Sequence, residues 1–478
     1  MIPQKHPKCL LRWCCLGSLS ALLLGGCQPS NLESGLAKPQ AASSQATTVT
    51  EQSIVAAIAL PAIAQQDFPI TDFANHQTLT KDARPAILAA IDSASENGGG
   101  RVVIPAGNWT SAGPIHLKSN INLHLAEGAH LTFSPRAEDY LPAVFSRWEG
   151  TEMYGYSPLI YANDVHDIAI TGPGIIDGNA DSEFFAWYPN EKPDQLKLRK
   201  MGIAGDPVSQ RQFGEGHFLR PGLIQIINAE RVLLDGFEAR NSPFWINHLI
   251  YTTHATVRNL NVNSHHPNND GVDVDSSSYV LIENNVFRTG DDSVVVKSGR
   301  DQDGRSIGKP SEYVVIRNND MGGEDGIAVG SEMSGGIRHV YFTDNILRTG
   351  VSAVRFKANL DRGGVVEHIY VKGLQVESFR DLFWFQLNYP GELDGQHPST
   401  YRDIVFEDIH VQNTDTFLEI HAPAPTPASN ITFKNIVVEH TKNTFILNNV
   451  ANLNLDNVTI NNQTINAQLN WQAKTDSN

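Results

Sequence analysis

The sequence predicts an all-β protein, wound into a parallel β-solenoid with a short capping helix at its N-terminal end. Segments rich in β-branched residues recur along the chain: Val165–Ile170, Val232–Leu234, Thr256–Leu260, Val280–Asn284, Val314–Asn318, Val340–Asp344, and on to Ile431–Asn435 and Leu453–Leu455. The valines at 232, 257 and 280 are 25 and 23 residues apart, and later spacings run from 22 to 35. That is one coil of a solenoid, lengthened where a coil carries a loop. Asn follows the strand at Asn284, Asn318 and Asn435, where stacked amide side chains can hydrogen-bond from coil to coil. A β-propeller or sandwich with similar strand spacing is the rival arrangement.

Taken in order, the chain opens with a leader. Lys5, Lys8 and Arg12 form a positive region, and the apolar stretch that follows ends at Leu22-Leu23-Leu24. It is too short to cross a bilayer stably and reads as a secretory signal. Leu24-Gly25-Gly26-Cys27 resembles a bacterial lipobox, a signal whose cysteine becomes the lipidated first residue; an ordinary secretory signal is the alternative. Residues 1–26 are therefore expected as a lipoprotein signal peptide and Cys27 as the lipidation site. This predicts a protein of the outer membrane or periplasm of a Gram-negative bacterium, touching the membrane through its lipid only. Ala, Ser, Gln and Thr dominate the next stretch, so residues 27–67 are expected as a flexible tether. All four cysteines lie in the first 27 residues, so the body has no internal disulfide.

The body is expected over residues 68–478. Thr80–Ser95 reads as a helix with Ile87, Leu88 and Ile91 along one face, ended by Gly98-Gly99-Gly100. Such a helix covers the open edge of a solenoid's first coil. Arg101–Pro105 then starts the first strand, since proline is tolerated at strand ends. Residues 136–156 and 179–220 break the rhythm and carry Tyr140, Trp148, Tyr154, Tyr156, Phe184, Phe185, Trp187 and Tyr188. Long loops on a rigid scaffold often carry function. Their aromatics suit the apolar faces of sugar rings, with packing against the solenoid side as the equal alternative.

A chain of 478 residues with 41% hydrophobic content can hold two or three average domains or one large repeat domain. The formal charge of −16 argues against a nucleic-acid partner, which requires a basic face. It does not exclude an acidic substrate, held by a local basic patch. The composition leaves the oligomeric state open.

Chemistry concentrates in two strings, Asn268-Asn269-Asp270-Gly271-Val272-Asp273 and Gly290-Asp291-Asp292-Ser293. Asp270 and Asp292 are 22 residues apart, one coil, so a solenoid makes them neighbours. Clustered carboxylates are what glycosidic bond cleavage requires, one protonated acid and one ionised base. Carboxylates crowded together cannot all ionise, so one keeps its proton. Adjacent strand residues point to opposite faces, so Asp291 and Asp292 reach one cleft only if the backbone bends at Gly290. Arg355 and Lys357, two apart, share a strand face. A cationic pair beside acid catalysts suits a uronate carboxylate.

These strings, in this order, resemble glycoside hydrolase family 28, the polygalacturonases, and its bacterial exo-type members in particular. The resemblance runs from about Phe68 to at least Gly364. It rests also on Gly330-Ser331-Glu332-Met333-Ser334-Gly335-Gly336, on Arg355-Phe356-Lys357 and on His217-Phe218-Leu219-Arg220-Pro221. It implies a right-handed parallel β-helix and inverting hydrolysis of α-1,4-linked galacturonan, the pectin backbone. It implies Asp291 as general acid, with Asp270 and Asp292 holding and activating water. It also implies substrate binding by Asn268, Arg355 and Lys357, with no metal or other cofactor. The family usually has Gly-His-Gly before Gly330-Ser331; here the segment is Gly322-Gly323-Glu324-Asp325-Gly326. Glu324 and Asp325 thus stand near the histidine's place and are expected at the substrate, and the change puts the uronate glycan more in doubt than the reaction class. His265 and His266 lie just upstream of Asn268. Three alternatives stay open: a hydrolase of another uronic-acid glycan, a solenoid lyase with calcium among the acids, and a non-catalytic glycan-binding solenoid.

Overall fold

The computed structural model describes residues 49–389 and 391–471. The expectations for the leader, for Cys27 and for the first part of the tether lie outside these residues. The body is the expected right-handed parallel β-helix. A typical coil carries strands Asn247–Ile250, Thr253–Arg258 and Asn261–Ser264, one on each of three faces. They pair in parallel with Val272–Asp275, Ser278–Glu283 and Val286–Thr289 of the next coil. The period-2 alternation decides which side chains go in: Val272 and Val274 join the core while Asp273 and Asp275 face outward, beneath the inserted segments. Each buried aliphatic contributes roughly 1.5–3 kcal/mol, and the stripes repeat from coil to coil.

The corners are set by left-handed residues. Asn259, Asn284, Asn318 and Asp344 take φ of 56°, 58°, 54° and 54° in successive coils, a conformation that Asn and Asp tolerate. The expected asparagine ladder lies one residue later. Asn285 Nδ2 donates to Asn319 Oδ1 at 2.9 Å and Asn319 Nδ2 to Asn345 Oδ1 at 3.0 Å, all buried. The left-handed residue turns the chain so that its successor, rather than itself, points inward. At Asn435 the ladder stands where expected, on the surface, bonded to Asp408 at 2.9 Å and to Asn457 at 3.0 Å. A second left-handed corner stacks His254, Tyr279, Tyr313, His339 and His368, with ring centroids 5.2, 4.9, 5.4 and 5.0 Å apart. That is close to the separation of neighbouring strands.

Both ends of the described β-helix are covered. The capping helix runs Arg84–Glu96 rather than Thr80–Ser95, because Thr80 ends a separate short helix, His76–Leu79, and Pro85 sits in the new helix's first turn. Ala86, Ile87, Ala90, Ile91 and Ala94 pack on the first coil, with Leu88 at the margin. At the other end Val450–Ile460 pairs antiparallel with Gln463–Trp471.

The tether expected over 27–67 is corrected at its end: residues 49–66 lie on the β-helix. Tyr341 Oη donates to Val49 O at 2.8 Å, Arg317 pairs with Glu51 at 3.3 Å, and the helix Glu51–Ala57 buries Ile54 against Leu281 and Val315. Ala59 N then reaches His254 at 3.3 Å, Ala62 N reaches Asp167 at 2.9 Å, and Gln66 O accepts from Arg101 N at 2.7 Å. The segment therefore runs back across successive coils toward the capped end. A few apolar residues, Val49, Ile54, Val55 and Ile58, make the contact inside a composition dominated by small and polar residues.

The two insertions build one side wall. Val144–Trp148 and Thr151–Gly155 form a hairpin, extended by Gln212–Phe213, and Lys192–Ala204 is a helix beside it. Most of the aromatics expected for sugar rings are wall core instead: Tyr140, Trp148, Tyr156 and Phe184 are buried, and Phe185 stacks on His266 at 3.6 Å.

Candidate active site

The carboxylates lie where the third face turns into the first. Asp270, Asp292 and Asp325 each stand two residues before the paired positions Val272, Val294 and Ile327, so they occupy one register position in three successive coils. The backbone confirms it: Gly271 N donates to Asp292 O at 2.9 Å and Ser293 N to Asp325 O at 2.8 Å. Asp291 and Glu324 precede the second and third of these. Gly290 carries no left-handed φ; a Cβ there would stand 2.4 Å from His266 O, so its role is close packing rather than a special backbone angle.

Asp270, Asp291, Asp292, Asn268 and Lys357 line one pocket of about 490 Å³. Arg355, Glu324 and Asp325 do not line it. Asp325 is fully buried beneath, its carboxylate accepting from Lys357 Nζ and Arg355 NH1, both at 3.1 Å. Arg355 also donates to Gln386 at 2.6 Å and lies 4.1 Å from the Trp384 ring centre. Glu324 is half exposed, 4.0 Å from Arg355. Lys357 Nζ donates to both oxygens of Asp292, at 2.9 and 2.8 Å. Asn268 gives its Oδ1 to Arg220 at 2.7 Å, and Arg220 also holds Pro243 O, Pro267 O and Glu191. The segment from His217 to Pro221 thus braces the Asn268 turn. His265 bonds Asn263, and neither it nor His266 lines the pocket.

Several lining residues escaped the sequence reading. Lys297 Nζ lies 3.3 Å from Glu332, 3.6 Å from Asp270 and 3.8 Å from Asp273, and 4.5 Å from the Trp245 ring centre. Its signal was available: Lys297 ends the apolar run Val294-Val295-Val296 on an outward position. Glu149, Arg199, Arg300, Glu332, Tyr389 and Glu392 complete the far wall. They come from the hairpin, the inserted helix and irregular connections, where no periodicity announces them. None of the eight loop aromatics lines the pocket, whose aromatic residues are Trp245 and Tyr389.

Burial pushes Asp270 well above the usual carboxylate range, helped by the charges of Asp273 and Asp291. Asp273, buried with neither oxygen hydrogen-bonded, is pushed well up by burial against the pull of Lys297. Asp292 is pushed up to about 8 by burial and by Asp325 and Asp291, with Lys357 pulling the other way. Asp325 is buried as deeply, yet Lys357 and Arg355 hold it below its ordinary value. Glu332 is likewise driven down, Lys297, Arg300 and Arg362 outweighing its burial. The pocket can therefore hold protons on some carboxylates and negative charge on others, as acid–base cleavage requires. Calcium among the acids fits poorly, because the Lys297 and Lys357 ammonium groups already stand between them. Outside the pocket, Glu367, His368 and Asp403 come together on the surface, but Glu367 is taken by Arg402 at 2.7 Å.

The sequence profile of glycosyl hydrolases family 28 matches residues 100–459. Among solved structures, a hyperthermoactive exopolygalacturonase from Thermotoga maritima is 35% identical, with a TM-score of 0.84 over 88% of this chain and 98% of its own. A probable polygalacturonase of Vitis vinifera is 27% identical over 376 residues, 76% of this chain and 71% of its own. An exo-poly-alpha-D-galacturonosidase of Dickeya chrysanthemi is 26% identical over 365 residues, 69% of this chain and 59% of its own.

Proposed function

This chain belongs to glycosyl hydrolases family 28, and from that premise we propose that it removes galacturonate units from the ends of α-1,4-linked galacturonan. The observation that carries the reading is the pocket itself. Three carboxylates on adjacent coils share it with lysines, and the inserted helix Lys192–Ala204 walls it, where an open β-helix face would leave a through groove. A walled pocket admits a chain end and rejects a chain middle. The Thermotoga and Dickeya relatives, both named for exo action, support this.

Asp291 protonates the leaving glycosidic oxygen. It is the least buried of the three carboxylates and opens to the pocket. Asp292 takes the proton of the attacking water, its ionised form favoured by the two bonds from Lys357. Asp270 keeps its proton and holds that water, since burial and Asp273 oppose its ionisation. Inversion follows from acid and base standing on opposite sides of the anomeric carbon with a water between. The lysine-filled acid cluster supports hydrolysis over elimination.

The test is a time course on oligogalacturonides, with Asp291→Asn as control. Galacturonate released from the first minutes, without mid-sized fragments, is expected, with the variant slowed at least about 1,000-fold. An unsaturated product absorbing in the ultraviolet, or an unimpaired variant, would overturn the reading. The leader supports a further proposal, lipid attachment at Cys27 and a place on the outer membrane or in the periplasm. Cys27→Ser should then abolish incorporation of labelled fatty acid; undiminished labelling would refute it.

A further inference from the structure

Arg199 and Arg300 meet on the pocket wall across from the catalytic carboxylates, Arg199 from the inserted helix and Arg300 from beyond the strand Val294–Lys297. Each divides its terminal nitrogens in the same way. Arg199 NH2 binds Glu149 at 2.6 Å and Arg300 NH1 binds Glu332 at 2.9 Å. The other nitrogens, Arg199 NH1 and Arg300 NH2, converge on Glu392, the second at 3.3 and 3.2 Å from its two oxygens.

The three acids are not equivalent. Glu332 also holds Lys297 and Ser331, and Glu149 also holds Gln195. The hydrogen bonds of Glu392 go to the two arginines alone, and its side chain is the most exposed of the three at 21%, against 14% and 7%. It comes from the irregular connection between the strands Gln375–Gln386 and Thr400–His421, whose backbone is fixed by Asp361 accepting from Leu393 N and Gly395 N, each at 2.9 Å. Rotation of the Glu392 side chain alone would vacate the two nitrogens. Both arginines would keep an acid partner, so neither charge would be stranded, and two N–H donors would face the pocket at carboxylate spacing.

We propose that Arg199 NH1 and Arg300 NH2 form a binding site for a uronate carboxylate of the substrate, and that Glu392 occupies it as an internal stand-in that the substrate displaces. This rests on the galacturonan reading and adds a carboxylate site to it, separate from Arg355 and Lys357. The ion pairs with Arg300 and Arg199 hold the Glu392 carboxylate below its ordinary range, against its burial, so the stand-in is charged as the ligand is.

Calorimetric titration with galacturonic acid and with its methyl ester tests it, because neither monomer is consumed. Glu392→Gln should tighten the acid about threefold to tenfold by removing a charged competitor. Arg199→Gln should weaken the acid at least about tenfold, and neither variant should move the ester more than about twofold. A melting curve matching wild type excludes misfolding of the arginine variant, and Glu392→Gln tests the proposal independently. Acid and ester shifting together, or a weaker acid with Glu392→Gln, would overturn it. If wild type cleaves oligogalacturonides while acid and ester fail to separate, this inference alone falls. If wild type neither cleaves them nor binds either monomer, the functional reading falls with it.

Discussion

Asp292 stands between a lysine ammonium at 2.8 Å and the charges of Asp325 and Asp291. Its ionisation sets the acidic limb of the pH profile. With its pKa raised to about 8, kcat/KM of the free enzyme should rise through a range well above the ordinary carboxylate region near 4. Asp325→Asn removes a negative neighbour that favours the proton, so the limb should move to lower pH; a limb that stays in place would contradict the coupling. Asp273 gives a stability test. Its folded pKa lies above the unfolded one, so its contribution is full below about pH 4 and is lost as pH rises. Asp273→Asn should therefore melt higher than wild type at pH 8 by on the order of 2 °C more than at pH 4; an equal gap at both pH values would refute this. The sequence disclosed Asp270, Asp291 and Asp292 because short strings carry them. It did not disclose that Asp325 belongs to the same column, because the loop Lys309 to Gly323 hides the coil spacing until strands are paired.

The coils were legible and the additions to them were not. Strand repeats, capping helix and corner asparagines follow from period-2 burial and turn chemistry, and the errors there are of one to four residues, at the Asn285 ladder and at Arg84. The helix Lys192–Ala204 was missed because it buries only Gln195, Leu198 and Gly202 and so shows little amphipathic pattern. That helix is nonetheless the wall that makes a pocket. Replacing residues 191–205 with a short Gly-Ser linker should open the site and add mid-sized oligogalacturonides to the products, in a protein whose melting curve shows it folded. An unchanged product pattern would show that the wall does not decide where the chain is cut.

For the molecule as a whole, the column of coils is closed at the helix-capped end and by the final hairpin, and bound lengthwise by residues 49–66. Ile54 is the buried point of that segment, at 2% exposure. Ile54→Ser should cost about 2 kcal/mol of unfolding free energy, with kcat unchanged because the segment crosses a face remote from the pocket. A variant as stable as wild type would show the segment to be loosely held. The pocket, the wall and the carboxylate column together require a single displacement by water at a chain end. Following trigalacturonate hydrolysis by proton NMR from the first seconds tests that directly. The newly formed reducing end should appear as the β anomer, with galacturonate and digalacturonate in equal amounts, before mutarotation mixes the signals. An initial α anomer, or an unsaturated product, would contradict the account.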